Sequence, residues 1–399
     1  MRTKRFAAIA LGAALAVTLA ACGGEGASGG DGNESTSSSS AAQSSGEQAA
    51  GDATAAGDKT VGVAMPTETS ERWIADGNAV KSQLEKLGYK VDLQYANDDI
   101  PTQSQQIDQM ITQGVSLLII ASIDGTALSS QLDAAAAKKI PVIAYDRLIN
   151  GNPNVDFYVT FDNYKVGVQQ ATALLVGLGF LNADGSDASN PPSDPVNIEV
   201  FAGSPDDNNA GFFFNGAMDT LKPYLDDGRI VVPSGQTDFD TVATLRWSQE
   251  AAQTRMENLL TSTYSGGTKL QGVLSPFDGI SRGIITALQG AGFGPKLTDG
   301  LPVVTGQDAE IASVTLINQD VQQSTIFKDT RKLAAQAVSA AQDFLAGKAP
   351  EPNDTTTYNN GVKVVPSFLL ESDIVYKDDI KSLLVDSGYY TAEQVEKGQ

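Results

Sequence analysis

From residue 60 onward, short β-rich apolar runs alternate with amphipathic segments. Residues 61–65 read as a strand, followed by a helical stretch over 71–87, a strand over 91–95 and a second helix over 101–113. Period-2 and period-3.6 segments that follow one another in this way are the rhythm of βαβ units. The runs at 117–120 and 141–145 lack polar alternation, as strands covered by helices on both faces should. The pattern therefore predicts a parallel, doubly wound sheet. After Asp162 the rhythm restarts, with helices over 166–178, 209–221 and 249–260 and strands over 197–201, 229–232 and 272–274. Two similar α/β lobes fit this repetition better than one large sheet, and 399 residues suffice for two cores of about 100–200 residues each.

Ahead of the α/β pattern, Arg2, Lys4 and Arg5 precede an uncharged Ala/Leu/Val-rich run that ends at Leu19-Ala20-Ala21-Cys22. That is the layout of an export signal. The run falls short of the ~20 residues that span a bilayer, and polar Gly/Ser-rich sequence follows it in place of an anchor. Small residues leading into the only cysteine resemble the lipobox of bacterial lipoproteins. The expectation is a signal peptide over 1–21, lipidation at Cys22, and a flexible tether over 22–58 composed of Gly, Ser, Ala and acidic residues. Two acyl chains, at about 0.8 kcal/mol per buried methylene, would hold the protein at a membrane.

Charge removes several function classes. The chain has 27 basic and 48 acidic residues and no histidine, a net charge of −21, and loss of the leader's basic residues makes it more negative. Nucleic acid and anionic lipid surfaces are poor partners for such a folded part. Without histidine there is no His-based triad or His metal site, and lipidation of the one cysteine leaves no thiolate. No Gly-x-x-x-x-Gly-Lys-Ser/Thr loop and no strand-to-helix Gly-x-Gly-x-x-Gly fingerprint occurs, so nucleotide phosphates lack a cradle. The acidic stretch 182–194 lacks calcium-loop spacing and reads as a solvated loop. No catalytic residue, metal or cofactor is expected.

In an open parallel sheet, ligands bind beyond the carboxyl ends of the strands. The residues found there are Glu71-Arg72-Trp73, Asp124, Asp146-Arg147, Asp206-Asp207-Asn208-Asn209, Asp278 and Gln307-Asp308, with Lys328 after 325–327. Carboxylates, amides, guanidinium forks and an aromatic plate are what a pyranose needs, because it presents a ring of hydroxyls and an apolar C–H face. Arg72 and Arg147 supply bidentate donors, Asp146, Asp207, Asn209, Asp278 and Asp308 accept or bridge, and Trp73 stacks. Any single Asp or Asn after a strand could equally cap the next helix, and an Asp-Arg neighbour pair could be only a surface ion pair, alternatives that weigh most on Asp124, Asp206 and Asn208.

At these same residues the chain resembles the pentose- and hexose-binding proteins of bacterial ABC importers, of the xylose-binding and multiple-monosaccharide-binding types. The likeness runs from about Thr60 to Gly388. Its motifs are Ser70-Glu71-Arg72-Trp73, Ala144-Tyr145-Asp146-Arg147-Leu148-Ile149, Phe161-Asp162-Asn163, Gly203-Ser204-Pro205-Asp206-Asp207-Asn208-Asn209, Ser275-Pro276-Phe277-Asp278, Gly306-Gln307-Asp308-Ala309 and Ile326-Phe327-Lys328. The resemblance implies a type I periplasmic-binding-protein fold, with a three-segment hinge near Phe161-Asp162, Phe327-Lys328 and Val364-Val365. The lobes would then comprise 59–161 plus 328–364 and 162–327 plus 365–399. It also implies sugar contacts at Arg72, Asp146, Arg147, Asn209, Asp278, Asp308 and Lys328, Trp73 at a stacking position, and Asp207 beside Asn209. Some relatives supply a second aromatic from the second lobe; here both Phe239 and Trp247 lie in the corresponding stretch, and the sequence does not choose between them.

The expected function is capture of a xylose-, glucose-, arabinose- or galactose-class monosaccharide by hinge closure and its delivery to an ABC permease. The expected place is the extracellular face of the cell membrane. The partners would be the sugar, the permease and the membrane through the lipid anchor, with no nucleic acid, and the protein would act as a monomer. Rival readings are a sugar sensor that presents its ligand to a membrane receptor, a glycoside hydrolase using paired carboxylates, and a sugar-responsive transcription regulator. The last needs a basic helix-turn-helix where the export signal and tether stand.

Overall fold

A computed structural model describes residues 58–399. The signal peptide, Cys22 and all but the last residue of the expected tether lie outside the described residues.

The first sheet grows from alternating strands and helices: β1 (Thr60–Met65), α1 (Glu71–Lys86), β2 (Lys90–Tyr95), α2 (Ile100–Gln113), β3 (Leu117–Ile120), α3 (Ser129–Ala137), β4 (Val142–Tyr145) and β5 (Phe157–Phe161). Local signals delimit the helices. The Asp99 carboxylate accepts from the Thr102 amide at 2.8 Å to cap α2, Pro101 sits in its first turn, and Gly114 ends it in the left-handed conformation. The uninterrupted apolar run of β3 has a packing cause. Leu117 and Ile119 enter one core, with Val61, Val63 and Tyr145, while Leu118 and Ile120 enter another on the opposite face, with Ala64, Val142 and Ala144.

From β5 the chain passes into a second sheet. Asp162 caps α4 (Asn163–Gly177), and β6 (Val196–Val200), α5 (Asn208–Asp226), β7 (Ile230–Val231), the short α6 (Phe239–Val242), α7 (Gln249–Ser262), β8 (Gly272–Leu274), α8 (Asp278–Gly290) and β9 (Val303–Val304) follow. Four parallel strands lie in the order β7-β6-β8-β9 between two further cores. Helix α5 outruns its expected end at 221 by passing through Pro223. Pro223 and Asp219 are both exposed, so the missing backbone bond faces water.

After α9 (Ile311–Asn318) and β10 (Thr325–Phe327), the chain returns to the first sheet. There α10 (Thr330–Leu345) buries Leu333, Ala334, Ala337 and Val338 in the core that holds β1 and β3. One expected boundary is corrected here. β11 (Ser367–Leu370) pairs in parallel with β5, giving the six-stranded order β11-β5-β4-β3-β1-β2. The third crossing therefore follows Leu370 instead of Val364. The stretch 367–370 covers what would otherwise be the open edge of β5, and only then does β12 (Asp373–Val375) pair antiparallel with β10.

Candidate functional site

A cavity of about 450 Å³ lies between the carboxyl ends of the two sheets, within the roughly 300–1,000 Å³ usual for small-molecule sites. Each flanking strand sends residues into it. β1 leads to Thr67, Ser70, Arg72 and Trp73; β4 to Asp146 and Arg147; β6 to Asp207 and Asn209; β9 to Gln307 and Asp308; and β10 to Lys328.

Strained backbone marks the wall. Among the described residues nine non-glycine residues have positive φ, and five of them, Asp98, Asp146, Arg246, Trp247 and Asp308, line the cavity. Such conformations persist where the surroundings over-determine them. At Asp146 the amide donates to the Val159 carbonyl at 2.8 Å. Its carbonyl accepts from Asn209 Nδ2 at 2.7 Å and Thr160 Oγ1 at 2.9 Å, and lies 2.6 Å from the Tyr158 hydroxyl. Asn209 belongs to the second lobe, so this cluster also joins the two sheets.

All the charged lining residues except Asp98 form ion pairs. The Arg72 guanidinium contacts Asp76 at 3.2 Å, Asp308 at 3.6 Å and Asp146 more closely still. Burial alone would lower its pKa, but the three carboxylates outweigh that and hold it well above the usual guanidinium value. Asp146 is also buried, yet Arg72 and Lys328 bring its carboxyl below the ordinary range. Burial pushes Asp76 up to about 7, with partial relief from Arg72 and the Tyr145 hydroxyl. It raises Asp207 as well, against the ion pair with Arg147 Nε at 3.1 Å. Lys328, 2% exposed, pairs with Asp308 at 2.9 Å. Arg72, Arg147, Arg246, Arg282 and Lys328 are balanced by Asp98, Asp146, Asp207, Asp308 and Glu310, so the lining carries no net formal charge. Such a wall suits a neutral ligand rich in hydrogen-bonding groups.

The sequence-derived candidates divide clearly. Arg72, Trp73, Asp146, Arg147, Asp207, Asn209, Asp308 and Lys328 converge on the cavity. Asp124 does not, because its carboxylate accepts from the Thr126 amide and hydroxyl at 2.8 and 2.7 Å and so closes a turn. Asp278 is fully buried behind the wall. It accepts from the Glu310 amide, Gln322 Nε2 and Thr325 Oγ1 at 2.9, 2.9 and 3.1 Å, which fixes the 306–310 loop that carries Asp308. Trp73 packs against the Arg72 and Arg147 guanidinium carbons, 4.8 and 5.1 Å from its ring centre. Of the two rival aromatics, Trp247 lines the cavity, while Phe239 packs edge-on against Phe214 in the core.

Sequence reasoning missed Asp76, Arg246, Arg282 and Glu310. Asp76 was within reach, since it follows Arg72 by one helical turn, the spacing of an i,i+4 ion pair. Glu310 joins the lobes, accepting from Ser70 Oγ at 2.9 Å and from Arg282 at 2.7 Å. Nearby, the Ile311 amide donates to Glu71 at 3.1 Å. Among the described residues no cluster of three or more His, Cys, Asp or Glu side chains could hold a metal ion, and no helix is long and apolar enough to cross a membrane.

Comparison with known proteins agrees with this geometry. The family profile described as "Periplasmic binding protein domain" matches residues 61–349. The "Multiple sugar-binding periplasmic receptor ChvE" of Rhizobium radiobacter is 53% identical over 338 residues, covering 84% of this chain and 92% of the relative. The "D-xylose-binding periplasmic protein" of Escherichia coli is 36% identical over 337 residues, with 84% and 92% covered. Among solved structures, an ABC transporter solute-binding protein from Clostridium phytofermentans with bound β-D-glucose superposes with a TM-score of 0.78 at 46% identity, covering 84% of this chain and all of that one. These relatives are binding proteins, not enzymes. The chain, with its two parallel α/β sheets and a cleft at their carboxyl ends, belongs to the periplasmic binding protein domain family.

Proposed function

We propose that the protein captures a single aldopentose or aldohexose of the xylose, glucose, arabinose or galactose class and delivers it to an ABC permease. The observation that carries this reading is the charge-balanced cavity, whose carboxylates, guanidinium groups, amide and indole come from the ends of both sheets. Hydroxyls of one sugar would bridge Arg72, Asp146, Arg147 and Lys328 to Asp207, Asn209 and Asp308, with Trp247 against its C–H face. Because these groups sit on both lobes, the ligand favours the closed arrangement, and that differential affinity lets a permease tell loaded from empty protein. The β-D-glucose in the Clostridium phytofermentans protein and the D-xylose in the name of the Escherichia coli relative support the ligand class.

Cys22, behind Leu19-Ala20-Ala21, supports a lipid anchor at the outer face of the membrane. A sensory role is a second reading, favoured by the word receptor in the name of the Rhizobium radiobacter relative. A thermal-shift screen of common pentoses and hexoses, followed by calorimetry, tests the sugar assignment. Saturable stabilisation by at least one of them is expected, and none by any would overturn it. Metabolic labelling with palmitate tests the anchor, and label retained in Cys22→Ser would exclude it.

A further inference from the structure

Arg246 and Trp247 are consecutive left-handed residues, with φ of 59° and 55°, and both line the cavity. Neither belongs to a type that takes this conformation readily, so the surroundings must impose it. Those surroundings are largely one loop, 203–206, which follows β6. The Thr244 amide donates to the Gly203 carbonyl at 3.1 Å and the Arg246 amide to Ser204 Oγ at 2.8 Å. The Arg246 guanidinium pairs with Asp206 at 2.8 Å.

Gly203 is the point where this bracket touches the indole. A Cβ added there would lie 2.0, 2.4 and 2.5 Å from Cη2, Cζ2 and Cζ3 of Trp247. Gly203 does not itself have positive φ, so its missing side chain makes room for the ring and is not needed for backbone conformation. The indole Nε1 is buried and has no hydrogen-bond acceptor among the described residues. The same loop reaches across the cleft, since the Gly125 amide of the first lobe donates to the Asp206 carbonyl at 3.2 Å.

We propose that Gly203 is a positioning residue for ligand binding: it seats the Trp247 ring in the 203–206 bracket, so that the indole forms the aromatic wall of the second lobe. The inference rests on the reading that a monosaccharide occupies this cavity. A methyl group at 203 drives the ring out of its seat, and displacement of such a wall is felt as lost affinity while the fold persists.

The test is a double-mutant cycle read by calorimetry with D-glucose or D-xylose. Gly203→Ala raises Kd by about 10-fold or more, whereas in a Trp247→Ala background the same substitution changes Kd less than about twofold, because the atoms it strikes are gone. The melting temperature follows the same cycle, falling in Gly203→Ala but not when Ala is added at 203 to Trp247→Ala, so the test survives even if the single variant folds poorly. Equal losses in both backgrounds, or unchanged affinity in Gly203→Ala, would overturn the inference. A wild-type protein that binds no pentose or hexose would instead overturn the functional reading beneath it.

Discussion

The two walls of the cleft balance their charges differently. On the first lobe, Arg72 meets Asp76 and Asp146, both carried by elements of its own sheet, and the left-handed Asp146 is gripped by donors from β5 as well as by Asn209. On the second lobe, Asp207 finds its cation in Arg147 across the cleft, and Asp308 finds its cations in Arg72 and in Lys328 at the crossing after β10. Arg72 thus has two of its carboxylates on its own wall, whereas Asp207 and Asp308 take their cations from outside theirs, although Arg246–Asp206 and Arg282–Glu310 pair within the second wall. Buried carboxylates without partners are costly, so separation of the lobes is tolerable only if water or ligand takes over at Asp207 and Asp308. This asymmetry makes the second wall the part most responsive to closure.

The largest effect is expected from Arg72→Ala, which removes a cation paired with Asp76 and Asp146 on the first wall and with Asp308 on the second. Loss of a buried partner costs about 3–5 kcal/mol, and sugar binding is expected to disappear together with a large fall in melting temperature. Retention of wild-type affinity would show that Arg72 belongs only to the scaffold. Arg147→Ala should act more selectively. It strips Asp207 of its cation and the ligand of a fork, weakening binding by about 10- to 100-fold in calorimetry, with a smaller effect on stability because Arg147 lies nearer the surface of the wall.

A gentler probe uses protons. Asp76 is raised from an ordinary value of 3.8 to about 7 and Asp207 is raised too, both by burial, so the folded chain holds protons that the unfolded chain has released. A raised carboxylate pKa means that the folded state loses stability as pH climbs from about 4 through about 7. The melting temperature should therefore fall between pH 5 and 8, and Asp76→Asn should flatten that slope. A slope unchanged in Asp76→Asn would remove Asp76 as its source. Smallest of all is Asp124→Ala, expected to leave sugar affinity within experimental error and stability within about 0.5 kcal/mol. A marked loss of affinity would return Asp124 to the site.

Asp124 and Asp278 also show where sequence reading stops. Their signature, an acid just beyond a strand, is the same as that of Asp146 and Asp308, and the strand-end rule found all four because buried parallel strands are conspicuous as apolar runs. Whether the carboxylate then faces a ligand, a turn amide or a loop behind the wall depends on a side-chain direction set by tertiary neighbours such as Thr126, Gln322 and Thr325. The choice between Phe239 and Trp247 failed for a related reason. The segment 238–248 has no periodicity to orient it, and Trp247 reaches the cavity through two left-handed residues that only the 203–206 bracket explains. The edge strand at 367–370 escaped because a short apolar run far along the chain gives no sign of which sheet it joins.

Closure of two lobes around one sugar is measured directly by small-angle X-ray scattering before and after saturation with a sugar shown to bind. A smaller radius of gyration is expected on saturation, and its loss in Arg147→Ala at the same sugar concentration. A tightly bound sugar that leaves the radius of gyration of the wild-type protein unchanged would contradict closure.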